Sequence, residues 1–338
     1  MRFRTLAAAL LPLIALTAGC GGGSSGEAAA SPGGPEPVTL TLNWYPYGEH
    51  APFYLGLKQG VFSKHGIDLK IQAGQGSVKT IQATGAGQTD FGWADTPALL
   101  AAVGQGVPVK SLGVYLQTTP ASVQFFTAKN ITKPADLKGL KIASTAGDAL
   151  SKTFPAFLKQ NGMSDGDVVL QNTDPAGKIA AVMSGQADAL LGYASDQGPT
   201  MQSKSGKPVS YLRFSELGLN FFSNGLLSSS KLPQDKPDLV KRMVAATSEA
   251  WAAAETQPDA AVDAMQGASE QLPDKTVLLD QLKTTLTLLH TDATKGMAPG
   301  VNTEADWKTT IDTFVRTGVI PKAEAPATYW DQSVAPKG

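Results

Sequence analysis

The sequence predicts an α/β fold with two lobes. A chain of 338 residues suits two domains better than one core. From residue 38 onward, short strand patterns alternate with helix patterns, which is typical of parallel α/β sheets. The segment GAGQTDFGWADTPAL in the first half is similar to MSGQADALLGYASDQG in the second half. Two similar halves predict two lobes whose strand ends face one cleft, with hinge motion closing it.

The N-terminus predicts a lipoprotein signal peptide over residues 1–19. A basic MRFR precedes an apolar run of 11 residues, 6–16, whereas a membrane-spanning helix needs about 20. The run ends in LTAGC, which resembles a bacterial lipobox with Cys20, the sole cysteine, as the acylated residue. Thr17 departs from the leucine that the pattern prefers. We expect an extracytoplasmic protein anchored to the cell membrane by lipid at Cys20, and the alternative is a plain secreted protein.

The domain boundaries follow from composition and from the alternation. Residues 20–37 are rich in Gly, Ser and Pro and have little to bury, so they predict a flexible tether. We expect residues 38–127 and 221–338 to form lobe 1 and residues 128–220 to form lobe 2.

Lobe 1 begins with a period-two pattern, VTLTLNW, which predicts a strand. Phe53, Leu57 and Val61 recur every four residues and predict a helix. The following elements are a strand at DLKIQ, a helix at VKTIQATGAG, a buried strand at TDFGWAD, a helix closed by glycine at TPALLAAVGQG, and a strand at VKSLGVYLQ.

A second alternation begins after SVQFFTAK and defines lobe 2. It runs through ITKPADLKGLKIAST, a helix at GDALSKTFPAFLKQNGM, a strand at VVLQN, a helix at AGKIAAVMSGQ, a strand at ADALLGYA, a helix and turn at DQGPTMQSKSGKP, and a strand at VSYLRF. FFSNGLLSSS then predicts a return crossing. Helical spacing of apolar residues around Trp251, around Leu282 and in EADWKTTIDTFVRTG predicts C-terminal helices that pack on lobe 1.

Four motifs carry a resemblance to a known family: LNWYPYGEHAPFYLGLKQGVFSKHGIDL, GQTDFGWADTPALLAAVGQGVPV, DLKGLKIAST and GQADALLGY. From Leu40 to about Pro233 the chain resembles thiamine-pyrimidine-precursor binding proteins and fungal pyrimidine synthases. The resemblance implies the type II periplasmic-binding-protein fold, which nitrate, alkanesulfonate and taurine binders share. Trp-x-Pro followed by a histidine is the feature specific to the pyrimidine branch, and the C-terminal third is generic.

The chain departs from the synthases where their chemistry resides. The resemblance puts Ala94 in place of their cofactor-carrying lysine and Ala98 in place of their substrate histidine. Their cysteine-rich iron loop matches LGLNFFSNGLL, which contains no cysteine. We therefore expect a binding protein rather than an enzyme.

The loop between the first strand and the first helix should face the cleft. Trp44 and Tyr47 are the candidates for stacking on a flat ring, because aromatic faces bury large areas with preferred geometry. His50 either binds the ligand through a ring nitrogen or bonds local backbone. We expect Tyr45 to be a packing residue. We expect Glu49 to be a charge at the start of the helix, where it complements the helix dipole.

Further candidates follow other strands. Trp93 and Asp95 end the TDFGW strand; Trp93 leans toward a core position, and Asp95 either binds ligand or caps the helix from Thr96. Ser144 and Thr145 begin the turn to Lys152, which either binds an anion through free backbone N–H groups or is capped by Asp148 and binds nothing.

The second lobe contributes Tyr193 and Asp196 after the ADALLG strand. A buried carboxylate here would accept from the amino group of an aminopyrimidine, and the family places a tyrosine and an acid near this position. Asn224 lies on the return crossing, where we expect it to be either a ligand contact or a turn residue.

Several functions are excluded by what the sequence lacks. A net charge of -1 without a basic stripe argues against nucleic-acid binding. His50, His65 and His290 are scattered without cysteine partners, which predicts no metal site. No P-loop is present, and the glycine-rich run 21–26 lies in the predicted tether, without the strand and helix that a dinucleotide fingerprint or a Gly-x-Ser-x-Gly nucleophile turn requires.

These observations predict a monomeric, lipid-anchored substrate-binding protein without a cofactor. Its partners would be a small-molecule ligand and the permease and ATPase of an ABC importer. We expect a thiamine pyrimidine precursor or a similar flat heteroaromatic as ligand. The alternatives are an aromatic or sulfonate anion at the Ser144–Lys152 turn and, disfavoured, a pyrimidine-synthesising enzyme.

Overall fold

The computed structural model describes residues 34–146, 148, 150–174 and 177–336. The strands of this part are β1 Glu36–Thr41, β2 Ile67–Gln72, β3 Phe91–Asp95, β4 Val109–Val114, β5 Ala121–Phe126, β6 Lys141–Ser144, β7 Val169–Asn172, β8 Ala189–Tyr193, β9 Val209–Arg213 and β10 Asn224–Ser229. The helices are α1 Ala51–Lys58, α2 Val61–Lys64, α3 Ser77–Gly85, α4 Thr96–Gly104, α5 Leu150–Gln160, α6 Gly177–Met183, α7 Gln197–Ser205, α8 Leu232–Asp235, α9 Pro237–Thr256, α10 Pro258–Asp263, α11 Lys275–Leu286, α12 Glu304–Thr317 and α13 Pro326–Tyr329.

The strands form two five-stranded sheets with equivalent topology. The first sheet has the order β2-β1-β3-β10-β4, and the second has the order β7-β6-β8-β5-β9. The two similar sequence segments provide β3 and β8, the central strands of the two sheets. Both strands therefore end at the same place in their lobes, as the sequence repeat predicted. The predicted two-lobed α/β fold is confirmed.

The sheets are mixed rather than wholly parallel. Strands β1, β2 and β3 pair in parallel, as do β6, β7 and β8. Strand β10 runs antiparallel to β3 and β4, and β5 runs antiparallel to β8 and β9. These two antiparallel strands directly follow the two chain crossings between the lobes, at residues 115–120 and 214–223.

Strand β5 corrects the predicted lobe boundary after residue 127. The hydrogen bonds of Ala121–Phe126 go to β8 and β9, so this strand belongs to the second lobe. A second correction concerns the tether predicted to end at residue 37. Glu36 and Pro37 already pair with Ile67 and Asp68 as the start of β1. The lipid-attachment residue Cys20 and the signal peptide lie outside the described residues.

The C-terminal helices α9 to α11 complete the first lobe, whereas α12 also packs on α5 of the second lobe, which corrects the prediction that all of them pack on lobe 1. The buried Trp251 of α9 stacks on Trp93 of β3, with ring centroids 5.2 Å apart, and meets Phe53 of α1 edge-on. Helices α10 and α11 also pack beside α1, in an apolar cluster with Leu55. Helix α12 lies near the crossings, where its Phe314 packs against Phe221. In residues 34–336, as far as they are described, no helix has the length and apolar character needed to cross a membrane.

Candidate ligand-binding site

A small cavity lies between the two lobes at the carboxyl ends of the strands. Its volume is about 30 Å³, which is room for one or two water molecules, since each needs roughly 10–15 Å³. Its lining residues come from both lobes: Asn43, Trp44, Tyr47, Gly76, Ser77, Asp148, Leu150, Lys178, Gly192, Tyr193, Asp196 and Gln197. Four of the ten predicted binding residues, Trp44, Tyr47, Tyr193 and Asp196, are in this lining. The lobes therefore stand close together around a polar space.

Trp44 meets a buried lysine from the opposite lobe. The Nζ atom of Lys178 lies 5.0 Å from the centre of the Trp44 ring, in a cation–π contact. The same Nζ donates to the carbonyl of Leu191 at 3.0 Å and lies 3.4 Å from Oδ2 of Asp148. Lys178 is only 1% exposed. Its ammonium group is thus a direct link between α6 of lobe 2 and the β1–α1 loop of lobe 1.

Asp196 is held by a second contact across the lobes. The side-chain amide of Gln281, on α11, donates to the Asp196 carbonyl at 3.0 Å, and lies 3.4 Å from Oδ1 of its carboxyl. Oε1 of Gln281 accepts from the backbone N–H of Gly48. Burial raises the pKa of the Asp196 carboxyl from 3.8 to about 7, and the nearby Lys178 ammonium opposes this rise. A ligand that donates a hydrogen bond here would favour the ionised carboxyl.

Asp95 lies beside the cavity as a carboxyl with few partners. It is 1% exposed, and neither of its side-chain oxygens has a regular hydrogen bond within the described part of the chain. Burial raises its pKa from 3.8 to about 7, and the nearby hydroxyls of Ser223 and Tyr193 moderate the rise. Its side chain makes no capping bond to α4. The capping alternative is therefore wrong in this structure, and the contact with Tyr193 joins the two lobes.

Glu49 is the centre of a hydrogen-bonded cluster under the loop. It is fully buried and accepts hydrogen bonds from the Tyr47 hydroxyl, from Nε1 of Trp93 at 2.7 Å and from Nδ2 of Asn224 at 2.6 Å. Burial raises the pKa of Glu49, and these donors oppose the rise. The helix-start interpretation of Glu49 does not account for this burial. Trp93 and Asn224 face this cluster rather than the cavity. They hold Glu49 in place, and Glu49 in turn binds the hydroxyl of Tyr47.

His50 is a neutral, buried side chain that orients Asn43. Its Nε2 lies 2.8 Å from Oδ1 of Asn43, and its Nδ1 accepts from the backbone N–H of Tyr47 at 3.4 Å. Burial lowers the pKa of His50 from 6.5 to about 3. With Nδ1 as acceptor, Nε2 carries the proton and donates to Asn43. The amide nitrogen of Asn43 is consequently the atom of that side chain that can serve a ligand, and His50 acts through it.

The structure describes only part of the turn that was predicted to bind an anion. Ser144 and Thr145 are buried at the end of β6 and are not in the cavity lining. Asp148 and Leu150 do line the cavity. Gly147 and Ala149 of the turn lie outside the described residues.

Sequence reasoning missed Lys178, Gln281 and Gly192. A signal existed for the first, because Lys178 shares the buried face of α6 with Ala181 and Val182, where a charge is unexpected. Gly192 has no such signal: a Cβ atom there would lie 2.0 Å from Oε1 of Gln197 and 2.8 Å from Nε2 of Gln124, so these two side chains would have to shift to admit it. The described residues contain no cluster of three or more His, Cys, Asp or Glu side chains that could hold a metal ion.

The family described as NMT1/THI5 like matches residues 48–261, which is more than half of the chain. The chain therefore belongs to the NMT1/THI5-like family, and the family resemblance of the sequence motifs is confirmed.

Three curated relatives align with large parts of the chain. The riboflavin-binding protein RibY of Chloroflexus aurantiacus is 27% identical over 78% of this chain and 77% of its own length. The formylaminopyrimidine-binding protein of Halalkalibacterium halodurans is 25% identical over 58% of this chain and 59% of its own length. The 4-amino-5-hydroxymethyl-2-methylpyrimidine phosphate synthase of Legionella pneumophila is 25% identical over 70% of this chain and 74% of its own length. These relatives thus include two proteins named as binders and one named as an enzyme.

A solved structure gives the fold. The alkanesulfonate-binding protein SsuA of Xanthomonas axonopodis pv. citri, bound to MOPS, superposes with a TM-score of 0.67 at 18% identity. The match covers 88% of this chain and 99% of SsuA. The chain therefore has the type II periplasmic-binding-protein fold.

Proposed function

We propose that this protein is the solute-binding protein of an ABC importer and that it binds a flat nitrogen heteroaromatic between its lobes. A thiamine pyrimidine precursor is the proposed representative, and a flavin is of the same class. The observation that carries the proposal is the arrangement of one indole and two polar side chains around the interlobe cavity. Trp44 offers a ring face, Asn43 offers an amide donor and Asp196 offers a carboxyl acceptor.

The edge of an aminopyrimidine matches this arrangement. Its exocyclic amino group would donate to Asp196, and a ring nitrogen would accept from the amide nitrogen of Asn43. The ring plane would lie against Trp44 in an offset stack, which requires centroids about 4.5–7 Å apart. Lys178 now lies 5.0 Å from the centre of that ring. A ligand on the same face would therefore displace the ammonium group, and the lobes would have to separate to admit it.

An anionic ligand suits the cavity less well. Asp148 and Asp196 line it, and Asp95 and Glu49 are buried nearby. Lys178 is the one cationic side chain among the described lining residues, and it is paired with Asp148. A sulfonate or nitrate would therefore meet carboxyl groups whose ionised forms repel it. For this reason, the organic-anion alternative is the weaker one.

The proposal also makes the chain a binder rather than an enzyme. Ala94 and Ala98 are both buried and offer no group for covalent chemistry. The LGLNFFSNGLL segment contains no thiol for iron. We expect purified protein incubated with pyridoxal phosphate and iron to keep its mass. Loss of mass from a histidine, or release of a pyrimidine product, would support the synthase alternative instead.

The proposed cellular setting follows from the N-terminal sequence and the family. The chain would be exported, acylated at Cys20 and held outside the membrane by residues 20–35 as a tether. It would deliver its ligand to a permease driven by an ATPase. It would act as a monomer, since both walls of the cavity come from one chain.

A binding screen tests the proposed ligand class. The panel contains 4-amino-5-hydroxymethyl-2-methylpyrimidine, its formylaminomethyl analogue, riboflavin, an alkanesulfonate and nitrate, each followed by thermal shift and then calorimetry. A ligand at one hundred times its Kd stabilises the folded state by about 2.7 kcal/mol. We expect a heteroaromatic to raise the Tm. If the sulfonate or nitrate binds and no heteroaromatic does, the proposed class is wrong.

Asp196→Asn separates the two ligand classes. An asparagine amide can turn a donor toward the ligand's amino group, so an aminopyrimidine should bind at least about tenfold more weakly, which corresponds to 1.4 kcal/mol. An anion should bind equally well or better, because a negative charge is lost. Unchanged affinity for the aminopyrimidine in a folded variant would remove Asp196 from the site.

A further inference from the structure

A second pocket continues outward from the interlobe cavity. Its volume is about 400 Å³, and it shares four wall residues with the inner cavity: Trp44, Tyr47, Asp196 and Gln197. Its remaining walls come from the loop after β1, from α6 and α7 of the second lobe, and from the segment before α11. The two spaces therefore adjoin each other at the mouth of the cleft.

The outer pocket has the size that the inner cavity lacks. Ligand sites in proteins typically measure about 300–1,000 Å³. The outer pocket falls within this range, whereas the inner cavity holds one or two waters. A ligand whose polar edge reaches Asn43 and Asp196 would extend from the inner cavity past Trp44 into the outer pocket.

The walls of the outer pocket are largely apolar and partly aromatic. Its apolar residues are Trp44, Tyr45, Pro46, Ile179, Met183 and Pro273. Met183 is 40% exposed and forms part of the wall of this pocket. The indole of Trp44 contacts the Tyr45 ring edge-on at 6.2 Å and belongs to both spaces. Thr200, Lys204 and Gln271 add polar groups to these walls. The aromatic and apolar residues favour a second flat ring, because they bury its faces.

We infer that the outer pocket is a second ligand subsite and that, within the proposed class of flat nitrogen heteroaromatics, the natural ligand is a fused-ring member rather than the single-ring pyrimidine precursor given as its representative. Its pyrimidine-type edge would enter the inner cavity, and its fused hydrocarbon ring would lie on Trp44, Ile179 and Met183. This inference rests on the proposed function, since it takes the inner cavity as the site of the polar edge. It goes further by assigning the size of the ligand.

Two pairs of compounds test the assignment, each sharing one polar edge and differing in fused rings. The first pair is 4-amino-2-methylpyrimidine and 4-amino-2-methylquinazoline; the second is 5,6-dimethyluracil and lumichrome. Calorimetry or fluorescence titration on the purified protein gives the ratio of Kd values within each pair. We expect the fused member of the binding pair to bind at least about tenfold more tightly.

A pocket-filling variant shows where the added ring lies. Ala180 lines only the outer pocket and is exposed, so Ala180→Phe should fill that space without disturbing the core. It should reduce the advantage of the fused member to about threefold or less and leave the single-ring member unchanged. Ala252→Phe is the matched control, because Ala252 is an exposed helical alanine on α9 outside both spaces.

The outcomes separate this inference from the proposed function. If the single-ring member binds as tightly as the fused one, or if Ala180→Phe leaves the ratio unchanged, the outer subsite is wrong while the proposed ligand class stands. If neither pair binds, this inference is wrong; if the sulfonate or nitrate binds in their place, the proposed function is wrong as well.

Discussion

The Asp95→Asn variant should gain stability over the parent as pH rises: the difference between their free energies of unfolding should be larger at pH 8 than at pH 5. Asp95 is buried with no regular hydrogen bond to its carboxyl oxygens within the described residues, and its pKa is raised from 3.8 to about 7. An unfolded chain ionises this carboxyl above its ordinary pKa, whereas the folded chain keeps the proton until near pH 7. Between these values the folded state binds more protons, so the free energy of unfolding falls as pH rises.

The magnitude follows from the two pKa values. Each pH unit between them costs the parent about 1.4 kcal/mol, so the whole interval is worth at most about 4 kcal/mol. Between pH 5 and pH 8 the parent should lose about 2–3 kcal/mol through Asp95, and the asparagine variant should not. At this size the difference corresponds to a relative Tm change of roughly 5–10 °C. An asparagine can also donate to the hydroxyls of Tyr193 and Ser223.

Thermal melts of the parent and the variant at pH 5, 6, 7 and 8 measure this difference. Asp196 titrates in the same range and affects both proteins, so only the difference between them reports on Asp95. Asp68→Asn is the control, because Asp68 is exposed on β2 and its substitution should give the same small change at every pH. If the difference between Asp95→Asn and the parent is constant from pH 5 to pH 8, the carboxyl is not desolvated as described.

Three further perturbations address the loop, the link between the lobes and the anchor. Trp44→Ala should weaken the ligand by about 1–3 kcal/mol, which is roughly 5-fold to 150-fold in Kd; equal affinity by calorimetry would exclude stacking. Lys178→Met should lower the free energy of unfolding by about 3–5 kcal/mol in denaturant melts, because Asp148 loses its buried cation. Adding Asp148→Asn should recover part of that loss, and no recovery would contradict an interaction between the two. Cys20→Ser should release the protein from the membrane fraction, and unchanged fractionation would refute the lipobox.

The order of strands and helices was predictable because its signals are local. Alternation in VTLTLNW and four-residue spacing from Phe53 report directly on the faces that are buried. The lobe to which β5 belongs was not predictable, because its partners β8 and β9 lie more than 60 residues away in the chain and run antiparallel to it. Nothing in SVQFFTAK itself distinguishes the last strand of one lobe from the first strand of the next.

The candidate site shows the same division between local and distant causes. Trp44, Tyr47, Tyr193 and Asp196 follow predictable strands, and strand ends meet the cleft in this fold. Lys178 and Gln281 lie on helix faces that otherwise bury apolar side chains, so their roles depend on which lobe those faces meet. His50 was expected to bind either ligand or backbone. Its Nδ1 does accept from the local backbone N–H of Tyr47, and its Nε2 also holds the amide of Asn43, a residue that the sequence did not single out.

Three contacts that cross the cleft are made by buried polar groups, which bears on how the protein would release its ligand. Lys178 to Trp44, Gln281 to Asp196 and Asp95 to Tyr193 each join one lobe to the other through a polar group that is nine-tenths or more buried. Opening the hinge would expose these groups to water, which solvates them well, so little net polar energy is lost. An apolar interface of the same extent would cost far more to separate. These three contacts can therefore leave a closed state and an open state in balance, as the capture and release of a ligand require.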